Sequence, residues 1–297
     1  MPSYKTHSIH GEILLPFINN MIEINEEDFK TFCIGPDTLL VTDSRIFNYQ
    51  HSNNVKDYFM YLINYIKKNK LYENGEVMAF LYGQLDHYVL DSTIHPLIYY
   101  FTQFSENKYV IELHGLVEMW IDDYVCLKYG KNQKNYYLKS MIKDNKLKKL
   151  IDRLYLEIYN VRNEAMKYDL GIKLFNLFDI CLRRNVIKIV PLISNMFNLG
   201  DITYQDNVDR VLPYLNLEND LWINPETGDR STESFDDLWN KSFEVAYQMY
   251  DDINNYIFLD RSLSNNLICN NISFNTGLPC EQGQKYTYVR RKKYIHR

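Results

Sequence analysis

One stretch limits this chain more than any other: GQLDHYVLDSTIHP, in which His87, Asp91 and His95 recur every four residues. On an α-helix that spacing lines the three side chains along one face over two turns. A second stretch, ELHGLVEMW, repeats the device with His114 and Glu118, again four apart. Upstream, His7 follows Thr6, Asp37 follows Gly35-Pro36 in a loop, and His51 precedes an amphipathic run. Six of the seven histidines fall in the first 114 residues.

Imidazole and carboxylate without thiolate suit zinc, and also manganese or iron. A helix bearing His-x3-Asp-x3-His can turn three ligands into one cavity, and a second bearing His-x3-Glu can close another site. The candidate metal ligands are His7, Asp37, His51, His87, Asp91, His95, His114 and Glu118. They exceed the four ligands of one tetrahedral ion, so a cluster of two or three zinc ions is the expectation. Such clusters activate water and clamp both oxygens of a phosphoryl displacement. The plainer reading makes each pair an ordinary i,i+4 helix contact and each histidine a core or surface residue. Two helical motifs and two loop candidates together strain that account. Other chemistries find less. There is no His-Asp dipeptide (Asp86-His87 is the reverse order), no Gly-x-Ser-x-Gly elbow and no Gly-rich phosphate loop.

The rest of the chain reads as helices. Apolar spacing predicts them over 8–22, bent at Pro16, and over 26–34, stopping at Gly35-Pro36. Others follow over 55–69, 76–94 with Pro96 as the limit, 107–128, 133–143, 146–165, 168–182, 184–198, 205–212 and 233–258. Residues 219–234 read as a loop from their Asn-Pro, Thr-Gly and Ser content. Within it, Trp222 is a candidate lid residue, or else a loop anchor packed on the body. Periodicity fades after Ser262, and KYTYV suggests an extended end. The expectation is one all-α domain, residues 1–260, followed by a C-terminal extension, 261–297, that is basic at its end.

The 297 residues carry a net charge of −5. The last 17 hold six Lys/Arg against one Glu, hence +5, so the preceding 280 carry −10. That acidic body is a poor platform for duplex nucleic acid. The RRKK run, Arg290 to Lys293, is read first as a solvated terminus, with contact to phosphate or an anionic lipid surface as the functional alternative. The opening residues lack the basic and apolar regions of a secretory leader, and no apolar run approaches the ~20 residues of a membrane span. Five scattered cysteines, never spaced Cys-x-x-Cys, argue for reduced thiols. A cytoplasmic location is therefore expected.

Taken together, Thr6-His7, Gly35-Pro36-Asp37, His51, YGQLDHYVLDSTIHP and His114-x3-Glu118 resemble the zinc-dependent phospholipase C family, and more closely its small, signal-less bacterial branch. WINPETGDRSTESFDDLW, Trp222 to Trp239, resembles a segment of that branch, so the likeness covers roughly 1–258. The resemblance implies an all-helical bundle around a metal cluster, shared with zinc single-strand nucleases. It implies Asp37, His51, His87 and Asp91 as ligands of one ion, and His95, His114 and Glu118 as ligands of a second that keeps a position open for water. His7 and Asp91 would belong to a third ion, with Asp91 bridging and His10 as the alternative to His7. Asp37 would also orient or deprotonate the attacking water. The start, Met1-Pro2-Ser3, departs from the processed N-terminal Trp of the secreted enzymes. The implied activity is zinc-dependent hydrolysis of a phosphodiester, with phospholipid or another phosphodiester as substrate. A nuclease or nucleotidase on the same scaffold, or a non-catalytic protein with a structural metal cluster, are the alternatives.

Overall fold

The computed structural model describes residues 4–104, 108–109, 111–132, 136–138, 141–183, 208–283 and 288. The fold is all-α. In chain order the helices are α1 (Tyr4–Asn19), α2 (Glu26–Phe32), α3 (Leu39–Thr42), α4 (Ser44–Ser52), α5 (Val55–Lys68), α6 (Gly75–Thr102), α7 (Ile111–Lys128), α8 (Asn145–Tyr159), α9 (Glu164–Arg183), α10 (Leu212–Leu215), α11 (Phe235–Leu259) and α12 (Asn266–Cys269). Among the described residues there are also two antiparallel ribbons: β1 (Gln103–Phe104) with β2 (Lys108–Tyr109), and β3 (Trp222–Ile223) with β4 (Arg230–Ser231). Among the described residues no helix is long and apolar enough to cross a membrane.

The axis of the molecule is α6. From Val77 to Ser92 every residue is buried, the pattern of a helix covered on all sides rather than one with an outer face. It packs against α1, α2, α7 and α11. Two apolar clusters share it. The first takes α6 as far as Val89 with α2, α5, α8, α9 and α11. The second begins at Leu90 and includes Ile98, Val117, Trp120, Trp222 and Trp239. Asp91 and His95 therefore stand where one core gives way to the other.

Local chemistry sets the ends of these elements. Glycine is scarce, 11 in all, and asparagine takes over the left-handed positions: Asn54, Asn160, Asn163, Asn216, Asn219 and Asn271 all have positive φ. The short amide side chain makes that conformation tolerable. The start of α11 is a capping box, in which Ser234 and Asp237 each accept a backbone N–H of the other.

Several expected boundaries moved. The helix expected to stop before Pro96 runs on to Thr102. An interior proline costs about 3 kcal/mol. Burying Leu97 and Ile98 completely contributes about 1.5–3 kcal/mol each, so continuing wins. The helix expected from 107 begins at Ile111, because Lys108–Tyr109 pairs with Gln103–Phe104. The helix expected over 133–143 is absent from its described part. There Leu138 exchanges two hydrogen bonds with the Asn176 side chain, Ile142 N–H donates to Asp169, and Lys143 N–H donates to Glu76. Side chains of neighbouring helices satisfy the backbone groups that a helix would pair internally. The 146–165 helix ends at Tyr159, and α9 starts early at Glu164. Over 205–212 the described part is a 3-10 turn, Val208–Arg210, leading into α10. Helix 184–198 and the RRKK run lie outside the described residues.

The loop expected at 219–234 is a short hairpin, and Trp222 is its anchor rather than a lid. Its indole is 4% exposed and donates to Glu233 O at 2.9 Å. Beyond α11, α12 and the loop that follows it lie on α5 and α6. Tyr88 Oη donates to the carbonyls of Leu267 and Ile272, and Lys56 Nζ to that of Cys269.

Candidate metal centre

The spacing of α6 does what helical geometry requires: His87, Asp91 and His95 occupy one buried face. The 3-10 turn Gly35–Thr38 brings Asp37 over that face. Gly35 makes the approach possible. Its φ is +60°, and a Cβ there would lie 2.3 Å from His87 Cγ, where no side chain fits. His51 enters from the last turn of α4, His7 from the first turns of α1, and His114 and Glu118 from α7. At the start of α1 the amides of Lys5 and Thr6 lack intrahelical acceptors. The Asp122 carboxylate on α7 takes both, at 3.4 and 2.8 Å, together with the Thr6 hydroxyl at 2.8 Å.

All eight candidate side chains converge, and all are buried. Three groups have ligand atoms within 4.8 Å of one another: His7, His87 and Asp91; Asp37, His51 and His87; His95, His114 and Glu118. His51 Nε2 is 3.0 Å from Asp37 Oδ1, and His87 Nε2 is 3.7 Å from the same oxygen. His114 and His95 reach Glu118 Oε1 at 3.0 and 3.3 Å. Asp91 joins the groups. Its Oδ1 faces His7 at 3.2 Å and His95 at 3.6 Å, and its Oδ2 faces His87 at 3.0 Å and His51 at 3.8 Å. The rings of His7 and His87 stack at 4.1 Å.

The outer nitrogens are held as metal-binding imidazoles require. His51 Nδ1 meets Phe47 O at 2.7 Å, His87 Nδ1 meets Cys33 O at 3.1 Å, and His95 Nδ1 meets Phe274 O at 3.1 Å. A carbonyl only accepts, so each Nδ1 carries the proton and each Nε2 can present a lone pair inward. His87 Nε2 is buried without a hydrogen bond, as is His7 Nδ1. An orphaned inward nitrogen, a carboxylate turned to several imidazoles and an all-nitrogen-and-oxygen donor set fit a zinc cluster.

The electrostatics carry the same signature. Burial pushes the Asp91 carboxyl up, but the fields of His87 and His95 and the bond from His7 hold it well below the usual range. Glu118 is held low against burial by His114 and by the bonds from His114 and His95. Burial lowers His95, and Asp91 with Glu118 outweighs it, so that this ring is pushed up to about 9. His7 also rises, through Asp91, whereas at His114 burial prevails and the ring is lowered. Without a cation, Asp91 and Glu118 favour the protonated ring of His95, and Asp91 that of His7.

His10 does not face the cluster. Its Nδ1 is 2.7 Å from Asp86 Oδ1 and its Nε2 is 2.8 Å from Ser242 Oγ, all fully buried. It ties α1 to α6 and α11, and His7, one turn earlier, is the member that faces inward. The supporting carbonyls of Phe47, Cys33 and Phe274 escaped sequence reasoning, since main-chain acceptors leave no mark on residue type. Asp122 had a faint signal, being a carboxylate one turn beyond Glu118 on the face of α7 that carries His114. A cavity of about 20 Å³, room for one water, borders the cluster; His7, Asp91, His95 and Glu118 line it together with apolar side chains that include Leu90, Ile94 and Phe235.

A family model described as zinc-dependent phospholipase C matches residues 6–166, a span that takes in all eight candidates. No curated protein and no solved structure matches the chain.

Proposed function

The chain belongs to the zinc-dependent phospholipase C family, and from that premise we propose that it is a zinc-dependent hydrolase that cleaves a phosphodiester in the manner of a phospholipase C. The observation that carries the proposal is the convergence of eight buried imidazoles and carboxylates, in three groups whose ligand atoms lie within 4.8 Å of one another. The reading assigns Asp37, His51, His87 and Asp91 to one zinc ion and His95, His114 and Glu118 to a second. His7 with Asp91 serves a third. Zinc held by these residues would lower the pKa of a bound water toward ~7 and would neutralise phosphoryl oxygens.

The side chains do the rest. Asp37, held against His51, orients the attacking water and accepts its proton. The water oxygen forms a new bond to phosphorus as the bond to the leaving alkoxide breaks; the alkoxide takes a proton from solvent, and Asp37 returns to solvent the one it accepted. The Nδ1 bonds to Phe47, Cys33 and Phe274 keep the rings from turning, so the pocket spends no free energy on reorganisation during reaction. The acidic body, −10 over the first 280 residues, disfavours a long polyanion and so favours a lipid-like phosphodiester. A peripheral membrane contact through the basic tail and a cytoplasmic location belong to the same reading. The free thiols of Cys33, Cys126, Cys269 and Cys280 support the latter.

The test measures zinc content by mass spectrometry alongside turnover of bis-para-nitrophenyl phosphate, phosphatidylcholine, single-stranded DNA and nucleotides. Zinc with phosphatidylcholine turnover supports the proposal. Turnover confined to DNA or nucleotides moves the assignment to the nuclease class. Bound zinc with no turnover makes the cluster structural.

A further inference from the structure

The loop from Ile272 to Pro279 lies far beyond the family match at 6–166, yet it reaches the cluster. We infer that this loop is a positioning element of the zinc site, its Phe274 carbonyl setting the imidazole of His95; the inference rests on the zinc reading above and adds a residue class to it.

The loop is fastened at both ends of the site. On the α4 side, Phe274 N–H and Ser273 Oγ both donate to His51 O at 3.0 Å, closing the carbonyl end of the turn that carries a candidate ligand. Asn275 Nδ2 donates to Ser52 Oγ at 3.0 Å, and Tyr99 Oη donates to Asn275 Oδ1 at 3.2 Å. On the α6 side, Gly277, with φ +65°, rests on the carbonyl of Ser92. That carbonyl's usual helical donor would be residue 96, which is proline and has no N–H. A Cβ at Gly277 would lie 2.8 Å from the Ser92 oxygen, so any other residue lifts the loop. Internally, Ser273 N–H donates to Leu278 O and Gly277 N–H to Ser273 O.

Held this way, the loop presents Phe274 twice. Its ring, 1% exposed, lies against His51 at 5.2 Å and Tyr88 at 4.6 Å between centroids. Its carbonyl accepts from His95 Nδ1 at 3.1 Å. His87 and His51 draw their outer acceptors, Cys33 and Phe47, from inside the family match. His95 draws its acceptor from this loop. With Nδ1 so engaged, His95 Nε2 points at Glu118 and Asp91. The loop thus couples His51, in one ligand group, to His95, in another.

The test uses the full-length chain and its Gly277→Ala and Asn275→Ala variants. Zinc affinity is titrated against a competing chelator, and the His95 Nδ1–H proton is followed by NMR in the zinc-loaded state. Loss of an outer partner weakens metal binding about 10- to 100-fold. That loss is expected in a subset of the bound zinc, with the His95 Nδ1–H signal shifted or lost and the remaining zinc held as in the parent chain. Parent-like zinc affinity with an unchanged Nδ1–H signal in a folded variant overturns the inference. Should Gly277→Ala fail to fold, Asn275→Ala, which removes only side-chain fastenings, decides alone. A parent chain that takes up no zinc sinks the functional reading instead, so the two failures are distinguishable.

Discussion

Asp91 Oδ2 stands 3.0 Å from Nε2 of His87, one helical turn before it on the same helix. The other oxygen of Asp91 looks the opposite way, to His7 and His95. One carboxylate is thereby shared among all the histidine groups. Asp91→Asn keeps the shape and removes the charge. Zinc retained after dialysis should fall by at least one equivalent, with affinity down by roughly 100-fold or more, and phosphodiester turnover should fall with it. Full zinc stoichiometry in this variant would contradict the shared role.

Protonation gives the metal-free chain its own pH dependence. His95 rises from 6.5 to about 9 on folding, so its stabilisation is complete below pH 6.5 and is lost as pH climbs through about 9. Asp91 and Glu118 are lowered from 3.8 and 4.5. Their contribution is present above those values and disappears on acidification. Thermal melts of zinc-free protein should therefore show falling stability from pH 6.5 to 9. Zinc requires a neutral ring, so the loaded protein should lose that slope, and zinc uptake at pH 7.5 should release protons into a weak buffer.

His7 and His10 should separate cleanly. His10→Ala leaves the buried Asp86 carboxyl without its imidazole, a loss of about 3–5 kcal/mol. The melting temperature should drop by roughly 10 °C while zinc stoichiometry holds. His7→Ala should do the reverse, losing zinc with a smaller change in the metal-free melt. Equal zinc loss in both would place His10 at the cluster after all.

Trp222→Ala tests the anchor. Truncating a buried Trp costs about 3–5 kcal/mol, and its bond to Glu233 O goes too. Stability should fall while kcat on a small soluble phosphodiester stays within about twofold at a temperature where the variant is folded. A kcat collapse in fully folded protein would restore the lid reading.

The candidate set, and its convergence on one face, was legible because its signal is local. His-x3-Asp-x3-His states its own geometry once the segment is helical, and the donor atoms state the metal class. Helix ends were legible where a cap or a left-handed residue marks them, as at Ser234. They were misread where long-range energy prevailed: through Pro96, where burial outweighs a missing hydrogen bond, and at Leu138, where Asn176 replaces helical partners. The part of Phe274 in the site had no signal, since a main-chain carbonyl is common to every residue.

What the sequence determined by itself is the helical class, the faces that α6 and α7 bury, and the imidazole and carboxylate chemistry offered there, because periodicity and donor type are properties of a few neighbouring residues. Tertiary structure alone decided that His7 rather than His10 turns inward, that Asp91 divides its oxygens between groups, and that a loop more than 170 residues away in the chain holds His95. Those choices follow from the rotation of α1 against α6 and the path of the chain after α11. Both are set by packing between segments distant in sequence, which no local pattern encodes.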